Sequence, residues 1–170
     1  MAFINLQLDI SDLPSADEIV FEAMSPDYPR EVRTQMFIIF IPAILASFLP
    51  AILAQLKFLL VIPVFVGLVG LLVGTLVVRM TRVKGVALRE HDIAYQSGLF
   101  WRKTVILAYN RMQHVEVGSG PLQRRYGLAT LKFFTAGGSA VDLKVDGLAR
   151  ERADQIRAFI LKKVGEIKQG

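Results

Sequence analysis

The sequence has no cysteine and only two histidines among its 170 residues. Without cysteine there is no disulfide framework, no thiolate nucleophile and no sulfur-ligated metal site, and a reducing compartment is compatible with the absence. The histidines do not make up the deficit. His91 falls in a turn, and His114 lies in a strand beside Glu116, with no H-E-x-x-H pair, ligand-spaced carboxylate cluster or G-x-S-x-G elbow nearby. Two residues two apart on a strand share a face without any chemistry following. The expectation is therefore a protein that is not an enzyme and holds no metal or cofactor.

Nucleotide loops are also missing. The stretch GSGPLQRRYGLATL, 118–131, is rich in glycine, but Gln123 stands where a dinucleotide fingerprint starting at Gly118 needs glycine, and no Gly-Lys-Ser/Thr triplet forms a P-loop. Pro121 instead suits the start of a short helical turn and Gly127 its left-handed end. Aromatics on one basic sheet face would be needed to stack nucleic-acid bases, yet Phe133 and Phe134 are adjacent and so point to opposite faces. Nucleic acid is not an expected partner.

Between Met36 and Val78 the sequence lacks charge almost entirely, with Gln55 and Lys57 as its strongly polar members. A hydrocarbon core of about 30 Å takes only about 20 helical residues, so the run divides at that polar link into two spans, 36–54 and 58–78. The expected result is a helical hairpin with both ends on one side of the bilayer. Ala43, Ser47 and Ala51 recur on the first span and Gly67, Gly70 and Gly74 on the second, where small residues let helices approach closely in lipid. Pro42, Pro50 and Pro63 are expected to kink their helices. No ionisable residue lies inside either span, so a proton or ion pathway is not expected and a role as a transporter's accessory subunit would need another chain's polar path.

Arg30 and Arg33 precede the hairpin and Arg79, Arg82 and Lys84 follow it, against Lys57 alone in the turn. The positive-inside rule then puts both termini in the cytoplasm. Residues 1–35 carry a net charge of −5 and residues 79–170 a net of +9. The first segment, with prolines at 14, 26 and 29, reads as a solvated acidic arm with a helical turn over Ala16–Met24. The basic remainder would be attracted to anionic headgroups by roughly 1 kcal/mol per well-placed cation. Its candidate contacts, to lipid or to a partner, are Arg79, Arg82, Lys84, Arg102, Lys103, Arg124 and Arg125.

Beyond the hairpin the hydrophobic period shifts to two, over 83–88, 92–98, 104–109, 112–118, 129–135 and 139–145, with hairpin-length links. That spacing predicts an antiparallel sandwich or barrel. A helix closes the chain, its apolar stripe running through Ala149, Ala153, Ile156, Ile160, Val164 and Ile167 and its start capped by Asp146. Packing that stripe over an open end of the barrel completes a core too small to stand alone.

Residues 107–138, LAYNRMQHVEVGSGPLQRRYGLATLKFFTAGG, resemble the signature of the bacterial pleckstrin-homology domain in its membrane-bound, YdbS-like class. The matching elements are the R-x-Q-x-V-E-V strand at 111–117, the G-P-L-Q-R-x-x-G-L-A-T-L block at 120–131, and Thr135-Ala136-Gly137-Gly138. The resemblance covers about 83–165 and extends to the preceding hairpin. It implies an α+β membrane protein with a PH-like barrel of two antiparallel sheets over 79–170, capped by the C-terminal helix, behind the arm at 1–35 and the hairpin at 36–78. It also implies a bacterial inner-membrane location and a noncatalytic interaction or scaffold module, which assembles with itself or with a larger protein bearing several such domains. An electrostatic sensor of anionic lipid is the other expectation. Eukaryotic relatives hold phosphoinositides near the first hairpin turn; here that turn is Arg89-Glu90-His91-Asp92, whose two acidic groups oppose a phosphate.

Overall fold

The two apolar helices run past the ends of the apolar block. In the computed structural model, which describes residues 19–135 and 141–169, α1 (Tyr28–Ser47) begins well before Met36 and α3 (Val61–Arg82) continues beyond Val78. Nothing after Tyr28 stops a helix. Pro29 sits in the first turn, where its missing N–H costs no bond, and Glu31 suits the positive end of the dipole. The early start buries Tyr28 and Val32 in the core, so α1 runs without a break across the expected boundary at 35/36.

Of the three prolines expected to kink helices, only Pro50 coincides with a break, between α1 and α2 (Leu49–Ala54) at Phe48. Pro42 lies inside an uninterrupted α1, and Pro63 falls in the first turn of α3, where no helical bond is lost. The polar link turns on Gln55 in the left-handed region (φ 53°) and a short 3₁₀ segment, Lys57–Leu60.

Among the described residues, seven strands form two antiparallel sheets. The first holds β1 (Glu22–Ala23), β2 (Gly85–Leu88), β3 (Asp92–Ser97) and β4 (Lys103–Ala108) in that order, and the second holds β5 (Met112–Gly118), β6 (Leu128–Thr135) and β7 (Leu143–Ala149). Residues 22 and 23 are thus an edge strand rather than part of a helical turn; residues 16–18 of that expectation lie outside the described residues. Gly85 makes the pairing possible, since a Cβ there would stand 2.8 Å from Phe21 Cβ. The last strand lies later than the expected 139–145, and residues 136–140, including the Ala136–Gly138 turn, are outside the description. Asp146 consequently belongs to β7 and caps nothing: it accepts a hydrogen bond from Thr130 Oγ1 (2.9 Å) and pairs with Lys144 (3.1 Å).

The C-terminal helix α5 (Arg150–Gln169) lies on the second sheet, with Ala153, Ile156 and Ile160 fully buried while the stripe's last member, Ile167, is exposed. Each of those isoleucines contributes roughly 1.5–3 kcal/mol by leaving water. They meet Phe133, Leu131 and Val145 from the sheets in one core that also contains Tyr28 and Val32 of α1, with Val77 and Val78 of α3 packed against it. Arg152 of α5 donates to Glu22 of β1 (Nε–Oε1 3.1 Å). The described end of the acidic arm is therefore docked on the domain by strand pairing and this ion pair, although both side chains stay exposed.

Gly147 in β7 has φ +81°, and a Cβ there would come within 2.2 Å of the Tyr28 ring. Gly147→Ala should lower unfolding stability by at least about 2 kcal/mol, combining left-handed strain with overpacking. Gly165→Ala in α5, where the new methyl meets nothing within 4 Å, should be neutral or stabilising by up to about 1 kcal/mol. Denaturant unfolding of both variants in detergent checks the contrast.

Candidate functional site

The hairpin enters the barrel at a point where three distant segments meet. Tyr28, the first residue of α1, lies against Gly147 of β7, and its hydroxyl accepts a hydrogen bond from Lys84 Nζ (2.8 Å) just after α3. Ser25 N–H donates to the Gly147 carbonyl (2.9 Å), joining the turn before α1 to the second sheet. Nearly two turns further along α1, the Thr34 and Tyr126 hydroxyls share a hydrogen bond of 2.7 Å. Tyr126 follows α4 (Pro121–Arg125), which forms as the glycine-rich stretch predicted: Gln123 Oε1 accepts from Gly120 N–H (3.1 Å), and Gly127 (φ +64°) ends the turn ahead of buried Leu128. Arg124 and Arg125 are exposed on α4, at the level where α1 leaves the apolar block.

Strand register locates the next group. Gly85, three residues after α3 ends, pairs with Gln96, and Ser97 pairs with Lys103. The turn between β3 and β4 therefore projects from the end of the sheet nearest the hairpin. Its tip carries Phe100 and Trp101, 67% and 86% exposed and edge-to-face at 6.3 Å, next to exposed Arg102 and Lys103. The opposite end of the sheet carries the Arg89–Asp92 turn, closed on itself by a 2.6 Å ion pair.

The hairpin-proximal end thus collects six of the seven basic candidates as exposed side chains: Arg79, Arg82, Arg102, Lys103, Arg124 and Arg125. Lys84 is different. Half-buried, it bonds Tyr28 and sits 5.1 Å from that ring's centroid, so it serves the core. Among the small residues of the spans, Gly70 and Gly74 face α1 at Phe40 and Met36, whereas Gly67 has open space where a Cβ would go. Ala43 is exposed, Ala51 is half-buried, and Ser47 turns its hydroxyl onto the Ile44 carbonyl (2.6 Å). His114 and Glu116 are a surface pair at 3.6 Å with Lys132 beside them. Among the described residues no group of three histidines or carboxylates is placed to hold a metal.

A sequence profile of the bacterial PH domain matches residues 36–164, hairpin included. The chain belongs to this family. It is also 42% identical, over 71 residues, to the UPF0699 transmembrane protein YdbS of Bacillus subtilis (strain 168), an alignment covering 42% of this chain and 43% of that protein. The match therefore spans less than half the length of that relative. No solved structure matches. In this bacterial PH domain, β1 and the buried turn of α1 precede the matched region, although both are built into the barrel.

The aromatic tip was within reach of the sequence, since Gly98 opens a turn that places two aromatics beside two cations. The Thr34–Tyr126 contact was not, because 92 residues separate its members.

Tyrosine hydroxyls register how dry the two ends of the first sheet are. Burial raises Tyr95 above the ordinary tyrosine value, with Lys84 pulling against it. At the far end burial, reinforced by the Asp92 carboxylate, pushes Tyr109 up to about 12. Folded protein then keeps protons that the unfolded chain releases near pH ~10. This contribution to stability is whole below pH ~10 and is lost as pH rises toward 12. Denaturant midpoints should hold steady up to about pH 9 and fall between pH ~10 and 12; a flat profile across that interval contradicts the assignment.

Proposed function

We propose that this bacterial PH protein is a noncatalytic, membrane-anchored interaction module, held on the inner leaflet with both termini cytoplasmic, whose barrel receives a protein partner or a second copy. The observation that carries the reading is the core shared by hairpin and barrel. A tether that merely raised local concentration would need only a flexible linker. Here Tyr28, Val32, Val77 and Val78 pack into the barrel's own core, which fixes its height and orientation and so presents a defined surface. The conserved chemistry of an enzyme plays no part in this reading; shape and placement do.

The exposed cations beside Phe100 and Trp101 favour a second contribution, direct contact with anionic lipid. Amphipathic aromatics suit the headgroup level, and each nearby cation adds roughly 1 kcal/mol of attraction to an anionic leaflet. The two contributions are compatible, since lipid would hold one end of the barrel and leave the other free.

Trp101 is the chain's single tryptophan, which makes the contact measurable. In anionic vesicles its emission should be blue-shifted and quenched by brominated acyl chains, and Trp101→Ala with Phe100→Ala should leave folding intact. Water-like, unquenched emission would remove the tip from the bilayer.

The absence of cysteine allows clean labelling. A thiol placed by Gln55→Cys should react with an impermeant maleimide in intact spheroplasts, and one placed by Gly170→Cys only after lysis. In mild detergent the full chain should run as a defined oligomer or with a stoichiometric partner; a partner-free monomer would overturn the module reading.

A further inference from the structure

Two cavities meet where the hairpin leaves the apolar block. The first is a groove of about 520 Å³ between α1 and α3, walled by Phe37, Phe40, Ile44, Gly67 and Leu71 and mouthed by Arg33, Arg79 and Arg82. The second, about 430 Å³, lies above it between the β1–α1 turn and the end of α3, lined by Met24, Ser25, Pro29, Arg30 and Thr81. They share Arg33, Val78 and Arg82. Among the described residues, no carboxylate lines either one. Arg33, Arg79 and Arg82 form no ion pair among the described residues, while Arg30 is paired with Asp27 at 2.6 Å. The groove stays open at Gly67, where a Cβ would meet nothing within 4 Å.

We propose that these two adjoining spaces bind one anionic glycerophospholipid, with an acyl chain in the groove along Gly67, its phosphate between Arg33 and Arg82, and its polar headgroup in the upper pocket. Hydrocarbon below and guanidinium above is the order of parts in such a lipid, and arginine's planar fork suits phosphate oxygens. Anionic headgroups are favoured over choline because Arg33 and Arg82, which also line the upper pocket, would set a quaternary ammonium beside like charge. A second copy's helix fits less well: inserted in the same orientation, it would bring its own three arginines to the same depth as these. The lipid also differs from the diffuse contact at the aromatic tip, since it occupies a bounded site between helices.

This inference rests on the hairpin's lying in a bilayer, which labelling at Gln55 tests separately, so correct labelling with failed lipid binding counts against the lipid site alone. The test is native mass spectrometry of the full chain, stripped of lipid in a neutral detergent, with added dioleoyl phosphatidylglycerol, dioleoyl phosphatidylcholine or glycerol 3-phosphate. One phosphatidylglycerol should be retained per chain, in preference to phosphatidylcholine. Arg33→Gln with Arg82→Gln should weaken retention about tenfold or more, as expected from losing charge-assisted hydrogen bonds. Gly67→Leu should block the groove and reduce retention, with Trp101 emission and unfolding unchanged; should the arginine variant fail to fold, this arm decides. Equal retention of the two lipids, or indifference to Gly67→Leu, overturns the proposal. So does binding of glycerol 3-phosphate as tight as that of the lipid, which would mean a phosphate site without a chain. A Gly67→Leu change in oligomeric state with lipid retention intact would assign the groove to a second copy instead.

Discussion

The rest of the structure depends on the seat of Tyr28. Its ring lies against a glycine that could carry no side chain there, and its hydroxyl is held by Lys84. Those three residues come from before the hairpin, from after it and from the last strand. Together they close a ring of chain through the barrel. With Tyr28 in place, Ser25 reaches the Gly147 carbonyl, β1 lies along β2, and α1, nearly two turns on, brings Thr34 to Tyr126. Without it, the barrel would hang from α3 through Val83 and Lys84 alone.

The same seat explains why charge alone misplaced Lys84. To a sequence reader, Arg79, Arg82 and Lys84 are equivalent juxtamembrane cations. The structure separates them by what lies alongside. The arginines leave the surface of α3 toward solvent, whereas Lys84 turns inward to a buried phenol and its ring face. A lysine held in this way is tied to the core rather than presented freely at the surface. The described part of the acidic arm follows a similar logic: Glu22 is held by Arg152 because β1 delivers it to the start of α5.

What the sequence made legible were features that repeat. The strand-length segments from β2 to β6, the stripe of the closing helix and the division of the apolar run into two helices each reappear in the structure within a few residues. Features set by one contact across the chain were not legible. A strand of two residues has no period, so β1 could be seen only through its partner, Gly85. Asp146 looked like a helix cap because the last strand was expected to end at 145, yet at φ +81° Gly147 lets β7 continue past Tyr28. At the candidate site the cations were all visible, but their gathering at one end of the barrel depends on strand register and on Tyr126.

Short joints at the membrane surface make hairpin and barrel one mechanical body. Between Ala23 and Tyr28, and between Arg82 and Gly85, there is too little chain to absorb a change in how α1 and α3 pack. Their separation near Val78 is set from above by the barrel core and from below by Gly70 and Gly74 against Phe40 and Met36. Whatever occupies the space between the helices at Gly67 therefore lies on a path that leads, through Val78, into the core that contains Tyr28. Packed interiors shift between discrete arrangements more readily than they deform smoothly. An occupant of the groove would thus act on the barrel through side chains already in contact, with no further hinge needed.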